Sequence, residues 1–334
     1  MEICYLIAFP ATDDGKAPVP EQFKVLKDAP YFQPIDIDLL ILGEETIVIE
    51  GYAVSVRRER YDGVVQMIEC RFDLANPFAP SVLQLRTKIQ AALQSRYIPE
   101  NIRQNGLFED YTVLLVQKAT PTPEKWVEKN AASLAKFIRS QKEKLDVAEI
   151  AEILVSRTQY SAVDMTIVDW EGAVIIAPNA DYASDIALLK IGNYQLLRYR
   201  MLDESIEKML DKINDVFFKS KSRFHPTSDV IRQLAEHKLE VMIDFERAEQ
   251  NLLLIGDWYS AKLYEAIQSE LYLKDWKENL RSKMENLESI VGTIRDNFSF
   301  SLERFWGRFE MAIYMIMLVG YLYLFFADMG WIGP

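Results

Sequence analysis

The sequence predicts an α+β protein. An N-terminal α/β domain with a mixed sheet precedes a helical region, whose long stalk helix is continuous with one C-terminal transmembrane helix. Three observations predict this. Short β-rich runs punctuated by turn residues dominate residues 1–120. From about Asp181 onward apolar residues recur at helical spacing. The segment Met311–Ala327, MAIYMIMLVGYLYLFFA, holds seventeen residues without a charge. The chain therefore divides into an α/β domain (1–180), a helical and stalk region (181–310), a transmembrane helix (311–327) and a short tail (328–334).

The elements follow in order. Ile3–Phe9 is a short apolar run and reads as a strand. Ile47–Tyr61 and Val64–Phe72 flank Asp62-Gly63, and Asp-Gly between two such runs signals a hairpin. Val82, Leu85, Ile89 and Leu93 give residues 81–96 one apolar helical face. Tyr111–Gln117 is apolar enough for a central strand. Pro121-Thr122-Pro123 ends that strand and starts a helix whose face carries Trp126, Ala131, Leu134, Phe137 and Ile138. Asp146 with Glu149 three residues on has the spacing of a capping box. Tyr160–Pro178 then reads as a second hairpin turning at Asp169-Trp170-Glu171-Gly172, with Gly172 suited to a positive φ.

The helical half opens with a stripe about thirty residues long, through Ile186, Leu189, Leu197, Met201, Ile206, Met209 and Ile213. His225-Pro226 breaks it, and a second helix runs through Leu234, Leu239, Met242 and Phe245. The last stripe starts at Leu273 and includes Trp276, Leu280, Met284, Leu287, Val291 and Ile294, continuing to Phe309. Its mean step is about 3.6 residues, between the heptad and eleven-residue repeats, so it predicts a nearly straight helix rather than a supercoil. Continued through Ala327, the helix is about 55 residues and roughly 80 Å long. The stripe needs a cover, either the preceding helices or further copies of itself. The second option makes these six residues an oligomer interface and the chain a homo-oligomer.

Seventeen helical residues span about 26 Å, close to the minimum for a hydrocarbon core. Trp306 and Trp331 flank the run at headgroup level, and Gly320 lies inside it. Arg304 and Arg308 precede it and no Lys or Arg follows it. The positive-inside rule then places the N-terminal mass in the cytosol or its equivalent, as a single-pass protein of a bacterial, archaeal or mitochondrial inner membrane. The start, MEICYLIAFP, lacks the basic region and cleavage site of a signal peptide. Cys4 and Cys70 fall in strand-like runs without metal-binding spacing, so buried free thiols are expected.

Composition and motifs narrow the function classes. Fifty acidic against 38 basic residues give a net charge of −12, which disfavours nucleic acid as a partner. Lipid and other membrane or cytosolic proteins are the expected partners. The basic run Lys219–Arg223 reads as a solvated loop. His225 and His237 have no metal-site spacing, and no phosphate-loop, dinucleotide or nucleophile-elbow motif occurs. No cofactor and no enzymatic activity are expected. Two carboxylate pairs, Asp36 with Asp38 and Asp164 with Asp169, are weak candidates for holding a hard cation. Asn193, Gln195, Arg198 and Arg200 interrupt an apolar helix, where they recognise a ligand or fix a helix–helix register.

The hairpin Met165–Ile176, the helix bearing Leu202, Asp203 and Ile206, and the stalk entry Tyr272–Arg281 together resemble the RMD/SIF-type family, named for meiotic nuclear division. The resemblance covers roughly 110–327. It implies a non-catalytic, oligomeric scaffold or sensor on a membrane. The acidic α/β region, long stalk and Met329-Gly330 after an apolar helix are also similar to CorA-type Mg²⁺ channels. That likeness implies the alternative, a divalent cation pathway built by oligomerising one transmembrane helix. The single apolar run, where that family has two, favours the scaffold.

Overall fold

A computed structural model describes residues 1–11, 37–215, 238–246 and 258–328, with Arg232 and Glu236, except the side chains of 294–308 and 322–328. Asp36, Trp331, the Lys219–Arg223 run, both histidines and the break at His225-Pro226 lie outside the described residues. So do the side chains of Ile294, Arg304, Trp306 and Arg308.

The described chain is α+β with an N-terminal mixed sheet and C-terminal helices. It divides into two compact units. The first holds Met1–Ser205 and Met242–Arg281, and the second Ile206–Val241 and Ser282–Pro334.

The first unit is built on an eight-stranded sheet. Its strands are β1 (Glu2–Pro10), β2 (Leu39–Ile49), β3 (Tyr52–Tyr61), β4 (Val65–Asp73), β5 (Glu109–Val116), β6 (Arg157–Thr158), β7 (Met165–Asp169) and β8 (Gly172–Ile176). The spatial order is β2-β3-β4-β1-β5-β8-β7-β6. Neighbours are antiparallel except β5 and β8, which are parallel and joined by a helical crossover. β1 sits between β4 and β5, and Ile3–Phe9 are all buried. That burial on both faces explains its unbroken apolar run. Cys4 and Cys70 are buried free thiols on β1 and β4.

Asp62 and Gly63 have φ 49° and 70°, so two successive left-handed residues turn the chain between Tyr61 and its partner Val65. Glu50 and Gly51, at φ 50° and 81°, make a similar turn between β2 and β3. This second turn divides what the sequence presents as one arm from Ile47 to Tyr61. Gly172 differs from expectation. Its φ is not positive, but a Cβ there would lie 2.5 Å from the Thr112 carbonyl oxygen. Close approach of β5 and β8, rather than turn conformation, demands glycine.

One sheet face packs on α1 (Pro80–Tyr97), α3 (Pro123–Ile138) and α4 (Val147–Ile153), with the short α2 (Glu100–Asn105) beside α1 in sequence. Thr122 caps α3 by accepting from Lys125 N–H at 3.4 Å, and Asp146 caps α4 by accepting from Ala148 N–H at 3.1 Å. Arg86 of α1 is fully buried without a carboxylate partner in the bonds described. It donates to the Phe137 carbonyl at 2.8 Å and the Ser140 hydroxyl at 2.5 Å, and lies 4.2 Å from the Phe137 ring centroid. The negative end of α3 thus serves as its counter-charge. Burial still lowers its pKa to about 10.

The opposite face meets α5 (Ala183–Asn214). Every residue from Ile186 to Tyr199 is buried. Lys190 reaches from α5 to the sheet, pairing with Glu59 at 2.9 Å and with Glu69. Arg57 contacts Glu59 at 2.8 Å and Arg71 contacts Glu69 at 2.6 Å, extending the pair into a charge network. Burial opposes the Lys190 charge, yet the two glutamates hold its pKa above the ordinary value. On the far side of α5, α6 (Trp258–Glu270) crosses at Gly192, where a Cβ would fall 2.4 Å from Ile267 Cγ2.

α7 (Leu273–Asp328) is 56 residues long and follows Tyr272, whose φ of 53° ends the preceding helix. In the second unit Leu287 packs with Met209 and Ile213 of α5, and Leu210 and Val291 flank them. In the first unit Leu280 is fully buried. The stripe expected to join copies of the chain is thus partly covered by the chain itself. Leu280 and Leu287 are core residues, while Trp276, Met284 and Val291 are half-buried.

Lys190→Ala leaves two buried glutamates without their shared cation. It is expected to cost about 3–5 kcal/mol in denaturant unfolding, with Glu59→Gln/Glu69→Gln in the same chain recovering part of the loss. Gly172→Ala should cost about 1–3 kcal/mol, because backbone rather than a movable side chain opposes the new methyl. Wild-type unfolding midpoints in either variant would refute the corresponding role.

Candidate functional site

A cavity of about 470 Å³ opens where β7, β8, the start of α5 and the start of α6 meet. All of its lining belongs to the first compact unit. The loop before β7 supplies Tyr160, Ser161, Val163 and Asp164. β7 supplies Thr166, and the segment from Ile175 to Asp181 follows β8 around the rim. α5 contributes Ser184 and Asp185, and α6 contributes Tyr259 and Ser260.

Local chemistry fixes these positions. Asp164 accepts from Tyr160 N–H at 2.7 Å, Ser161 N–H at 3.1 Å and the Ser161 hydroxyl at 2.5 Å. These bonds from residues three and four positions upstream close the loop on the Asp164 carboxylate. Asp185 is in the first turn of α5 and only 7% exposed. It accepts from the Tyr259 hydroxyl at 2.8 Å and from the Thr166 hydroxyl, both on Oδ2. The rings of Tyr160 and Tyr259 lie edge to face, 5.7 Å apart. Burial pushes the Asp185 pKa up, the Thr166 and Tyr259 bonds pull it down, and Asp164 and Asp181 add to the rise. Burial, the Asp185 charge and the Asp185 bond together push the Tyr259 hydroxyl well above its ordinary range.

Of the carboxylates singled out in sequence, only Asp164 lines this cavity. Asp169 ends β7 and is taken up elsewhere, pairing with Arg139 at 3.1 Å and accepting from Glu171 N–H at 3.3 Å. The structure therefore gives Asp164 and Asp169 separate partners. Asp38 is exposed, and its backbone N–H donates to Asp62 at 2.8 Å. Among the described residues no group of three or more His, Cys, Asp or Glu is placed to hold a metal ion.

The polar residues of α5 serve packing. Gln195 accepts from Tyr264 of α6 at 2.6 Å and donates to Tyr199 at 2.9 Å. Arg200 donates to the carbonyls of Phe108 at 3.0 Å and Gly106 at 2.8 Å and pairs with Glu109. Asn193 donates to the Leu189 carbonyl within its own helix.

A family model described as "Uncharacterized protein MJ0711, N-terminal domain" matches residues 11–183. The chain belongs to that family. It is 25% identical over 191 residues to uncharacterized protein MJ0711 of Methanocaldococcus jannaschii. The alignment covers 57% of this chain and 59% of the relative, so the chain spans about three-fifths of that protein's length. No solved structure matches. The MJ0711 N-terminal family region ends where α5 begins. It includes the hairpin side of the cavity, Tyr160 to Asp181, whereas Asp185 and Tyr259 come from beyond it.

Sequence reasoning missed Asp185, Asp181, Tyr160 and Tyr259 as site residues. Asp185 carries the weak signal of a carboxylate at a helix start, which ordinarily means capping. Tyr259 follows residues 247–257, which lie outside the described set, and nothing in its sequence neighbours ties it to a residue seventy-four positions earlier.

The raised pKa of Asp185 has a definite sign. Folding disfavours its charged form, so the ionised carboxylate costs stability above its folded pKa. That cost vanishes as pH falls below the ordinary aspartate value of about 3.8. Asp185→Asn is therefore expected to raise the melting temperature at pH 7 and to lose that advantage near pH 3, as read by thermal denaturation at both pH values. A lower melting temperature at pH 7 would show that its two hydrogen bonds outweigh desolvation.

Proposed function

We propose that the chain is a non-enzymatic, membrane-anchored scaffold or sensor that assembles as a homo-oligomer, with Met311–Ala327 as its anchor. The supporting observation is the second half of α7. Phe309 to Tyr321 are all exposed, and the large apolar residues from Met311 onward are 43 to 77% exposed. Among the described residues no face of Met311–Tyr321 is buried. A helix apolar around its whole circumference requires an apolar environment on every side. Bare in water, the surface exceeds what a monomer tolerates.

The described side chains end at Tyr321, eleven residues into the run, and among the described residues no helix is long and apolar enough to cross a membrane. The proposed span therefore extends into 322–327, whose side chains lie outside the described residues. Arg304 and Arg308 before the run support a cytosolic α/β head under the positive-inside rule.

The described part of the head supplies a sheet and a polar cavity, an arrangement that supports display or sensing. The exposed run also bears on the cation-pathway alternative. A conducting pore needs polar or small groups toward its axis. Met311–Tyr321 offers Ala312, Gly320 and the bulky phenols Tyr314 and Tyr321 among large apolar side chains.

Reconstitution into liposomes tests the reading. The full chain is expected to float with lipid and to resist alkaline or high-salt extraction, and deletion of Met311–Pro334 is expected to abolish flotation. The loaded liposomes should show no protein-dependent flux of Mg²⁺, K⁺ or Na⁺. A deletion variant that still floats after salt washing overturns the anchor. Flux that disappears in Gly320→Leu replaces the scaffold with a channel.

A further inference from the structure

We propose that the cavity between β7, β8, α5 and α6 binds a small organic cation carrying a primary ammonium group, held by Asp185 and the Tyr160–Tyr259 aromatic wall. This goes beyond the scaffold reading and does not depend on the membrane anchor. Three independent features converge. The first is charge: Asp164, Asp181 and Asp185 line the cavity, and no Lys, Arg or His lines it among the described residues.

The second is the state of Asp185. It is more than nine-tenths buried, and both bonds it receives fall on Oδ2. Among the described residues Oδ1 receives none, although a carboxylate oxygen accepts two hydrogen bonds. An ammonium N–H supplies both the missing donor and the missing counter-charge. Leaving such a carboxylate ionised without a cation is costly.

The third is the aromatic wall. Tyr160 and Tyr259 stand 5.7 Å apart at 79°, and a phenol face attracts an ammonium or its adjacent methylenes. Tyr259 serves twice, because its hydroxyl also fixes Asp185. A volume of about 470 Å³ suits a small molecule rather than a peptide. A bare divalent ion matches less of this lining, since it makes no use of the rings and prefers several converging carboxylates.

Isothermal titration of the full-length protein in mild detergent with putrescine, at physiological salt, tests the assignment. Saturable binding is expected, with Asp185→Asn weakening it at least about tenfold, the range of a charged hydrogen bond. Tyr259→Phe keeps the ring and should weaken it less than Asp185→Asn. Circular dichroism of each variant establishes that it is folded. The exposed Asp181→Asn, remote from the packed interior, provides a variant whose smaller loss is expected even if Asp185→Asn unfolds. Absence of putrescine binding, equal binding of the neutral diol of the same length, equal binding of Mg²⁺, or unchanged affinity in folded Asp185→Asn overturns the proposal. Flotation with lipid is read separately, so failure here leaves the anchor reading intact.

Discussion

The burial of Ile186–Tyr199 of α5 around the whole circumference is the constraint on which the first unit depends. From Ile186 to Tyr199 no side chain reaches solvent, so the helix must be covered by the sheet on one side and by α6 on the other. A charged residue on such a helix has nowhere to go but into a partner. Lys190 therefore requires Glu59 and Glu69, and these in turn engage Arg57 and Arg71. The network fixes how far α5 slides over β3 and β4. Gly192 fixes how close α6 comes on the other side. Desolvation offsets much of the attraction in such a buried network, whereas removing one partner strands an uncompensated charge.

That placement of α5 creates the cavity. The helix starts beside the β7–β8 hairpin, so Asp185 lands under Thr166, and α6 brings Tyr259 over both. The carboxylate is buried against its electrostatic preference. Burial raises its pKa against the Thr166 and Tyr259 bonds that lower it. The hairpin half lies inside the matched family region and the helical half outside it.

The second half of α7 poses a different physical problem. In its first half the apolar stripe is spent on α5, with Leu287 against Met209 and Ile213. From Met311 to Tyr321 the residues carry no charge, and none is buried among the described residues. A single stripe suffices against one neighbouring helix, and here the stripe gives way to apolar residues all round the helix. The change of pattern falls within one uninterrupted helix.

Much of this was legible in the sequence because it depends on near neighbours. The Asp62-Gly63 turn, the helix start at Pro121–Pro123, the cap Asp146, the stripe of α5 and the extent of the last helix follow from local propensity and periodicity. The 50–51 turn was not legible, since Glu50 carries no signal for a left-handed conformation. Gly172 was legible as a required glycine but for another reason: only the parallel pairing with β5 brings the Thr112 carbonyl against it. The stripe through Leu280 and Leu287 told that a cover was needed without saying whose. Lys190 between two glutamates, and Asp185 beneath Tyr259, involve separations of 131, 121 and 74 residues. By itself the sequence determined the elements, their order and the apolar run, because those are written in spacings of a few residues. Tertiary structure alone decided which charges are buried together and where the cavity lies, because those depend on chain crossings that no local pattern records.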